Sequence, residues 1–591
     1  MLDEGISLNH AKVRYRRRTL WFVVRRLGKL VRFVGLRRLV QIGMAHLLQG
    51  RGIKQLLIWC RDQLAFSERG NRDLYRYWVD FVEPTLPAVV SNGGDLGRVT
   101  VALGACRIED ASETLTSIER QTHPDFRLLI SVPPSEFDRA SSLVTSTNMQ
   151  VLAGPQTTSE EDLMLFALRT AETEYGLSLL PGATLAPDAL LELHRAAIDS
   201  GADLIYPDED SVRGGIRYDP IFKPSASPDL LRGRDYVGPV CLFRLGSRLL
   251  DAHVTESSVY RLVLEHLYAD TVVRRVPRML VHWRDGRESR LSPAQVLDVA
   301  DLTTPGSRHL ASEPARVVAS IIIPTRDRLD LLRDCISRIY ASSRNLEFEV
   351  LILNNRSEEP ETLRWLASAA KKWPGLEVHD ADYEFNWSKL NNQGVDAAQG
   401  EVFVFLNNDV QAISEDWLET LLEDALRDEI GAVGPLLLYP DGTIQHAGIV
   451  VGIGGLADHV YAGCPTSGND GFAFVEPLLP RNVLAVTGAC MAVERRKLLE
   501  VGGFDERFGI CGDIELCFRL HAAGYYNLYQ PNSRLYHYES ATRGRNPITP
   551  MEKDELLAEF CTLIGEEDPF YNPNLDLRCR FPTFLEPFHL D

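Results

Sequence analysis

The sequence lacks any uninterrupted apolar run of the roughly 18–20 residues that a membrane-spanning helix needs. It also lacks a recognisable signal-peptide pattern, and its ten cysteines form no C-x-x-C pair and no regular spacing. These absences argue against a transmembrane anchor and a disulfide scaffold, and they favour a reduced, cytosolic compartment. The 591 residues exceed what one hydrophobic core usually supports, so two or more domains are expected.

A zinc site is poorly supported as well. Cys511, Cys517 and His521 lie close together in the sequence, but a fourth ligand and the usual ligand spacing are missing. We therefore interpret these three side chains as packing residues.

Charge is distributed unevenly along the chain, whose formal net charge is −19. Residues 1–61 contain 14 Lys and Arg against two acids, so the remainder is strongly acidic, which argues against general nucleic-acid binding. Within residues 12–38, apolar positions from Leu20 to Val34 form one stripe of a helix, and basic residues form the other face. This basic amphipathic helix either attaches to an anionic membrane surface or packs on the protein's own acidic body.

An α/β pattern begins after residue 97 and occurs twice. A strand, a polar turn and an amphipathic helix start at residue 98 and again at residue 316, and later motifs repeat at growing offsets. Strands that alternate with helices predict mainly parallel, Rossmann-like sheets. We predict four regions: a basic helical N-terminal region at 1–97, a first α/β domain at 98–300, a second at 316–545, and a C-terminal helix and tail at 546–591 that wraps the second domain.

In the second copy, polar side chains follow three successive apolar strands. The strand in "SIIIPTRDR" is followed by Thr325 and Asp327, and the strand in "EVLILNNRS" is followed by Asn354. The strand in "VFVFLNNDV" is followed by residues 407–409. Open α/β sheets bind ligands at the carboxyl ends of their strands, so these residues predict one binding edge. Any one of them alone is explained by a turn, and Asp409 alone is explained as a helix cap.

Four further side chains suit chemistry at such an edge. Asp409 suits Mg²⁺ or Mn²⁺, which takes one or two protein carboxylates and completes its shell with water and phosphate oxygens. Asp513 precedes a helix-like segment, where a carboxylate can act as a general base towards an alcohol. His537 is either a metal ligand or a satisfied buried histidine. Arg543, in a loop bounded by glycine, either holds phosphate oxygens or is a solvated surface charge.

As an ordered set, these motifs resemble the family 2 glycosyltransferases of the GT-A fold, which are inverting enzymes that use nucleotide-activated sugars. The resemblance runs through "SIIIPTRDR", "FNWSKLNNQGVDAAQGEVFVFLNNDV", "VTGACMAVERRKLLEVGGFDERF", "GDIELCFRL" and "YHYESATRG". The tandem arrangement is similar to that of two-module bacterial proteins of O-antigen and capsule assembly. It implies two tandem GT-A-like domains, a divalent metal ion, a nucleotide-sugar donor and a glycan or lipid-linked glycan acceptor.

The resemblance also implies a role for each matching residue. Asp513 would be the catalytic base, and Asp409 would hold the metal ion with His537. The residues implied in nucleotide-sugar binding are Pro324, Thr325, Asp327, Asn354, Asn392, Asn407, Asn408 and Arg543. Asn354 and Asn407 depart from the family pattern, which usually has acids there. The first departure leaves the nucleobase preference open, and the second lowers the metal affinity that we expect.

The first copy lacks the acids of the second. We align "PGA" (181–183) with residues 407–409, and "SSVYRLVLEHL" (257–267) contains no Asp where the second copy has "GDIELCFRL". In this alignment a strand-end histidine, His282, is retained. The acidic run "DED" (208–210) is a weaker alternative set. We therefore predict that the first domain is a structural or acceptor-binding module.

Three further candidates carry weaker signals. Trp387 either stacks on an acceptor sugar or is a buried aromatic residue. His459 and the segment "DGTIQHAGIVVG" (441–452) either shape the acceptor pocket or form a glycine-rich turn with a core histidine.

Together these observations predict a cytoplasmic sugar transferase that extends a lipid-linked surface polysaccharide at the inner face of the cell membrane. One competitor is a nucleotidyltransferase on a similar sheet, which usually opens with a glycine-rich loop that "IIIPTRDR" lacks. The other is a non-catalytic glycan-binding or scaffolding subunit, and Asp409 and Asp513 argue against it.

Overall fold

The computed structural model covers most of both α/β copies. The helix predicted within residues 12–38 lies outside the described residues, as does Arg543. Among the described helices, none is long and apolar enough to cross a membrane. The described residues are 68–86, 96–143, 146–157, 159–246, 258–269, 271–284, 318–343, 346–466, 477–538, 548–578 and 580–584.

The chain forms two compact units. The smaller combines residues 1–85, 469–472 and 583–591, and the larger combines residues 86–468 and 473–582. In the smaller unit, helix α1 (Glu68–Phe81) is followed by a short 3-10 helix. The Tyr75 ring of α1 lies 5.5 Å from the ring of Phe584.

The first copy is a nine-stranded mixed sheet with strand order β3-β2-β1-β4-β8-β6-β9-β5, and β7 pairs with β6. Parallel pairs join the first four strands in this order, and the far end of the sheet mixes parallel and antiparallel pairs. Its elements are β1 Val99–Gly104, α2 Ser112–Glu119, β2 Phe126–Val132, α3 Phe137–Leu143, β3 Met149–Ala153, α4 Glu160–Thr170, β4 Tyr175–Leu179, β5 Ala183–Leu185, α5 Ala189–Ser200, β6 Leu204–Arg213, β7 Ile216–Ile221, α6 Pro228–Gly233, β8 Leu242–Arg244, α7 Val259–Tyr268 and β9 Val273–Arg284.

The second copy repeats this order strand for strand, as β12-β11-β10-β13-β20-β15-β21-β14, with β16 on β15, β19 on β21, and a separate β17–β18 hairpin. The predicted α/β class is confirmed, and the shared order supports the predicted duplication. The elements are β10 Val318–Thr325, α8 Leu329–Ser342, β11 Glu347–Asn354, α9 Pro360–Lys372, β12 Leu376–Asp380, α10 Trp387–Ala397, β13 Val402–Leu406, β14 Val410–Ala412, α11 Trp417–Ala425, β15 Ile430–Leu438, β16 Ile444–His446, β17 Ile449–Val451, β18 Ala457–His459, β19 Arg481–Val483, β20 Cys490–Glu494, α12 Arg495–Glu500, α13 Gly512–Ala522, β21 Tyr526–His537 and α14 Pro550–Leu563.

The core of the second copy follows from its apolar pattern. All five residues of β13 are buried, because a central strand covered by helices on both faces needs a continuous apolar run. On α8, Leu332, Ile336 and Ile339 recur at helical spacing and pack into the same core. This packing places the polar loops after β10, β11 and β13 at one edge of the sheet.

The strand bounds correct our alignment of the two copies. Three residues, 407–409, link β13 to β14, and three residues, 180–182, link β4 to β5. Gly182, rather than Ala183, therefore stands where the second copy has Asp409.

The predicted retention of the strand-end histidine is wrong for the same reason. At the start of β14, Val410 pairs with His537, whereas at the start of β5, Ala183 pairs with Trp283. His282 lies one register position away, and a shift of one residue turns a side chain to the opposite face of a sheet. The first copy therefore lacks this histidine as well as the acid.

The two copies are joined by a buried polar cluster. The Asn482 side chain on β19 donates from Nδ2 to Asp229 Oδ2 at 2.7 Å, and its Oδ1 accepts from the Ser227 hydroxyl at 3.1 Å. Arg427 NH1 lies 2.6 Å from Asp229 Oδ1. Although burial alone would raise it, Arg427 and Asn482 hold the pKa of Asp229 below its ordinary value.

The sequence predicts a C-terminal tail that wraps the second domain, and in the structure this tail contacts both copies. Asn572 Nδ2 donates to Asp208 Oδ2 at 2.8 Å in the first copy. In the second copy, the Val451 N–H donates to Asp568 Oδ2 at 3.0 Å. The tail is thus a second connection between the two copies.

We predict that Arg427→Met destabilises the protein by about 3–5 kcal/mol, because it leaves the buried Asp229 carboxylate without its closest cation. Arg232→Met is the matched control. Arg232 lies 3.6 Å from the same carboxylate but is more exposed, so its loss should cost at most about 1 kcal/mol. Urea unfolding at neutral pH measures the free energy of unfolding of both variants, and equal losses would contradict the assignment of Arg427 as the main partner of Asp229.

Because the folded-state pKa of Asp229 is lowered, the stabilisation from the Asp229–Arg427 pair should be lost as the pH falls below 3.8.

Candidate active site at the carboxyl edge of the second sheet

The loops after β10 and β13 meet at the predicted edge. Thr325, the last residue of β10, pairs with Asn354, the last residue of β11, in parallel register. From the loop after β13, Asn408 Nδ2 donates to the Thr325 hydroxyl at 2.8 Å. Three of the sequence-predicted donor-site residues are therefore neighbours. Pro324, a fourth, directly precedes Thr325 in β10.

Asp327 shapes the first loop through its own hydrogen bonds. Its Oδ1 accepts from the N–H groups of Glu358 and Glu359, each at 2.8 Å, and so fixes the two residues that precede α9. Its φ is +55°, in the left-handed region that few residues other than glycine adopt. This geometry turns the chain sharply after β10 and aligns the first loop with the second.

Asn354 is paired with a carboxylate that our sequence reasoning missed. Its Nδ2 donates to Asp380 Oδ1 at 2.8 Å, and its Oδ1 accepts from the Ser357 N–H at 3.2 Å. An Asp at position 354 would face the Asp380 carboxylate, which gives a physical reason for the amide. The signal was present in the sequence, because Asp380 ends strand β12 next to β11.

Asn392 has a different role from the one predicted. Its Nδ2 donates to the Phe504 carbonyl at 2.9 Å, and its Oδ1 accepts from the Phe504 N–H at 3.0 Å. Both ends of the amide are thus used to hold the 503–506 turn, and we no longer count Asn392 among the donor ligands.

Asp409 and His537 face each other at the end of the sheet, both nearly fully buried. The antiparallel register of β14 and β21 places them together, and Asp409 Oδ1 lies 3.3 Å from His537 Nε2. Neither Asp409 Oδ1 nor His537 Nδ1 has a hydrogen-bond partner among the described residues. A buried carboxylate oxygen without a hydrogen bond beside an imidazole nitrogen fits a divalent cation.

Protein atoms would supply only part of the shell of such an ion. Among the described residues, no group of three or more His, Cys, Asp or Glu side chains is arranged to hold a metal. Mg²⁺ and Mn²⁺ commonly keep water and substrate phosphate oxygens as further ligands, so two protein ligands are compatible with either ion.

Asp513 lies in the first turn of α13. Its Oδ2 accepts from the Gly488 N–H at 2.7 Å, and its Oδ1 accepts from the Ile514 N–H at 2.9 Å. The residue after Gly488 accepts, through its carbonyl oxygen, the Asn407 N–H at 2.9 Å. Adjacent residues thus connect Asp513 to the loop that carries Asp409.

Gly488 has no room for a side chain, because an added Cβ would lie 2.4 Å from the Trp387 ring and 3.1 Å from the Asp513 Cβ. Trp387 is half-buried and packs edge-on against Phe504, with 5.0 Å between the ring centroids. This packing explains Trp387 without an acceptor sugar. The quoted motif "VTGACMAVE" contained Gly488, but sequence alone did not reveal its contact with Asp513.

His459 forms part of a histidine pair. Its Nδ1 lies 2.8 Å from Nδ1 of His446, which is fully buried. Burial and the neighbouring His459, Arg481 and His537 lower the pKa of His446 well below its ordinary value, so His446 is neutral.

The three acids at 208–210 in the first copy all contact other side chains or main-chain groups of the protein. Asp208 accepts from the Lys223 N–H and from Asn572, and Lys223 Nζ lies 3.2 Å from Glu209. Asp210 contacts His282 Nδ1 at 2.6 Å. These pairings support a structural role for the three acids.

Comparisons with known proteins come from the sequence and from the fold. Residues 320–500 match the family described as "Glycosyl transferase family 2". The "O-antigen biosynthesis protein RfbC" of Myxococcus xanthus is 36% identical over 428 residues, 67% of this chain and 33% of that protein. The "N-acetylglucosaminyl-diphospho-decaprenol L-rhamnosyltransferase" of Mycobacterium tuberculosis is 31% identical over 140 residues, 22% of this chain and 45% of that protein. The chain therefore spans less than half the length of these curated relatives.

Among solved structures, "GalNAc-T7 with UDP, GalNAc and Mn2+" is similar, with a TM-score of 0.33 and 16% identity, over 42% of this chain and 48% of that chain. The matched family region ends before α13 and β21, so it contains Asp409 but neither Asp513 nor His537.

We predict that Asn354→Asp destabilises the protein by about 1 kcal/mol, because two carboxylates then face each other where Asp380 is exposed to solvent. The matched control is the exchanged pair Asn354→Asp with Asp380→Asn, which restores an amide–carboxylate hydrogen bond and should recover the loss. Urea unfolding checks both. A single variant as stable as the wild type would contradict the pairing.

We predict that Asp409→Asn weakens Mn²⁺ binding by about 10- to 100-fold, because it removes the charged ligand of the candidate site. Calorimetric titration with Mn²⁺ in the presence of a nucleoside diphosphate measures the change. Asp382→Asn, which removes an exposed carboxylate just after β12, is the control and should bind like the wild type. Equal affinities for wild type and Asp409→Asn would exclude this ion site.

Proposed function

We propose that this chain, whose residues 320–500 form a family 2 glycosyltransferase domain, transfers a sugar from a nucleotide-sugar donor to a glycan or lipid-linked glycan acceptor in bacterial surface polysaccharide synthesis. The names of the M. xanthus and M. tuberculosis relatives support this class of acceptor and pathway. The observation that carries the proposal is the connection of Asp513 to the Asn407–Asp409 loop through Gly488 and Ala489.

The donor would bind across the loops after β10, β11 and β13. Thr325 and Asn408 are already hydrogen-bonded to each other, and the hydrogen bonds that Asp327 accepts from Glu358 and Glu359 hold the first loop in place. Pre-formed loops of this kind orient a substrate without a further entropy cost during the reaction. Asn407 and Arg543 remain proposed diphosphate contacts.

Asp409 and His537 would hold Mg²⁺ or Mn²⁺. When bound there, either ion would neutralise charge that develops on the leaving diphosphate. The chain's own contribution is to keep the carboxylate oxygen and the imidazole nitrogen side by side in a buried setting, where electrostatic interactions are stronger than in water.

Asp513 would take the proton from an acceptor hydroxyl. The oxygen of that hydroxyl would attack the anomeric carbon from the face opposite the diphosphate, so that the new glycosidic bond forms as the bond to the diphosphate breaks. This single displacement inverts the anomeric configuration. The hydrogen bonds from Gly488 and Ile514 orient the carboxylate for the proton transfer.

The first copy would not catalyse this step. Gly182 replaces the metal-binding acid, and the Gly182 N–H donates to the Thr114 hydroxyl at 3.0 Å. We propose that this copy supports the second sheet through Asp229 and the C-terminal tail. The basic segment 12–38 is the part of the chain that we propose for contact with an anionic membrane at its cytoplasmic face.

The test is sugar transfer or donor hydrolysis with a panel of nucleotide sugars and Mn²⁺. Asp513→Asn should lower kcat by about 10²- to 10⁴-fold, because the amide cannot accept the proton. Asp199→Asn, at an exposed position of the first copy, is the matched control and should behave like the wild type. Equal, metal-independent signals from wild type and Asp513→Asn would favour the scaffolding alternative.

A further inference from the structure

Helix α13, which carries Asp513, has no side-chain cap of its own. The residue at its N-cap position is Cys511, whose side chain makes no capping hydrogen bond. The first N–H groups of a helix lack partners within the helix and need an acceptor from elsewhere when they are buried. An acceptor from another helix, 41 residues further along the chain, binds instead the N–H groups of the two residues that precede α13.

Glu552, in the first turn of α14, provides this acceptor. Its Oε1 accepts from the Ile510 N–H at 2.7 Å and from the Cys511 N–H at 2.8 Å. The Glu552 side chain is 6% exposed, and its own N–H donates to the Thr549 hydroxyl at 3.1 Å. A single carboxylate oxygen therefore fixes two consecutive peptide groups just before α13 begins.

The two helices are held together independently of this acceptor. The rings of Phe518 on α13 and Phe560 on α14 lie 5.7 Å apart. Arg507, in the turn before α13, lies 3.2 Å from Glu559 at the surface. Loss of the Glu552 carboxylate should thus leave α14 docked and remove only the bonds to residues 510 and 511.

We propose that Glu552 is a positioning residue for Asp513, an inference that rests on the proposed function. Asp513 lies two residues after Cys511 and accepts from Gly488 on the opposite side. Glu552 fixes the backbone that carries the carboxylate, and Gly488 fixes the carboxylate itself. If either Glu552 or Gly488 no longer holds Asp513, the Asp513 carboxylate moves relative to the sugar site.

Three substitutions at Glu552 distinguish a positioning role from an effect of its charge and from an effect on general stability. Glu552→Gln keeps an Oε1 acceptor and loses the charge, so its kcat should stay within about threefold of the wild type. Glu552→Asp draws the oxygen back by one methylene, and Glu552→Met removes it. Both should lower kcat, by about 10- to 100-fold for Met, because small displacements of a catalytic group are costly. Glu559→Gln, on the same helix, is the matched control and should leave kcat unchanged.

The readouts are kcat, the donor KM, donor affinity by calorimetry and the melting temperature. Donor KM and affinity should not change in any variant, because the donor loops lie on β10, β11 and β13. A purely structural role would lower the melting temperature while leaving the kcat of the folded fraction unchanged. If Glu552→Met does not fold, Glu552→Asp decides the question.

Failure of the proposed function and failure of the positioning role give different experimental results. A wild type that transfers and hydrolyses no nucleotide sugar refutes the proposed function. An active wild type whose Glu552→Asp and Glu552→Met variants keep the kcat of Glu559→Gln refutes the positioning role alone. A kcat loss in Glu552→Gln as large as in Glu552→Met would also overturn it, because charge and not the hydrogen-bond acceptor would then be responsible.

Discussion

Two hydrogen bonds made by the main-chain groups of consecutive residues hold the site together. The Gly488 N–H donates to Asp513, and the Ala489 carbonyl accepts from Asn407. One segment, residues 487–490, thereby ties the helix that carries the proposed base to the loop that carries the proposed metal ligand. The absence of a side chain at position 488 is part of the same constraint, since Trp387 fills the adjacent space.

The two copies carry different residues at the same edge of one fold. Both sheets have the same strand order, yet Gly182 stands in the first where Asp409 stands in the second. The remaining acids of the first copy lie in buried pairs with Lys223, Asn572 and His282. Burial raises the pKa of Asp208 to about 7, although Arg275, Lys223 and Asn572 favour its charged form. Such acids join parts of the structure and are not available as ligands.

Contacts distant in sequence connect the parts of the larger unit. Asn482 precedes Gly488 by six residues and is bonded to Ser227 and Asp229 of the first copy. The tail reaches both copies through Asn572 and Asp568. The segment that supports Asp513 is therefore continuous with the interface between the copies.

The sequence by itself determined the α/β class, the duplication and the family 2 region, because apolar runs, polar strand ends and ordered motifs are local features. It also identified Asp409 and His537, which the register of β14 and β21 brings together. Only the tertiary structure decided the one-residue alignment of the copies, the pairing of Asn354 with Asp380, and the structural use of Asn392. Those outcomes depend on partners between 26 and 112 residues away, or on strand register, and neither leaves a periodic signal in the chain. The contact from Glu552 belongs to the same class, since this carboxylate lies 41 residues after the Cys511 N–H that it binds.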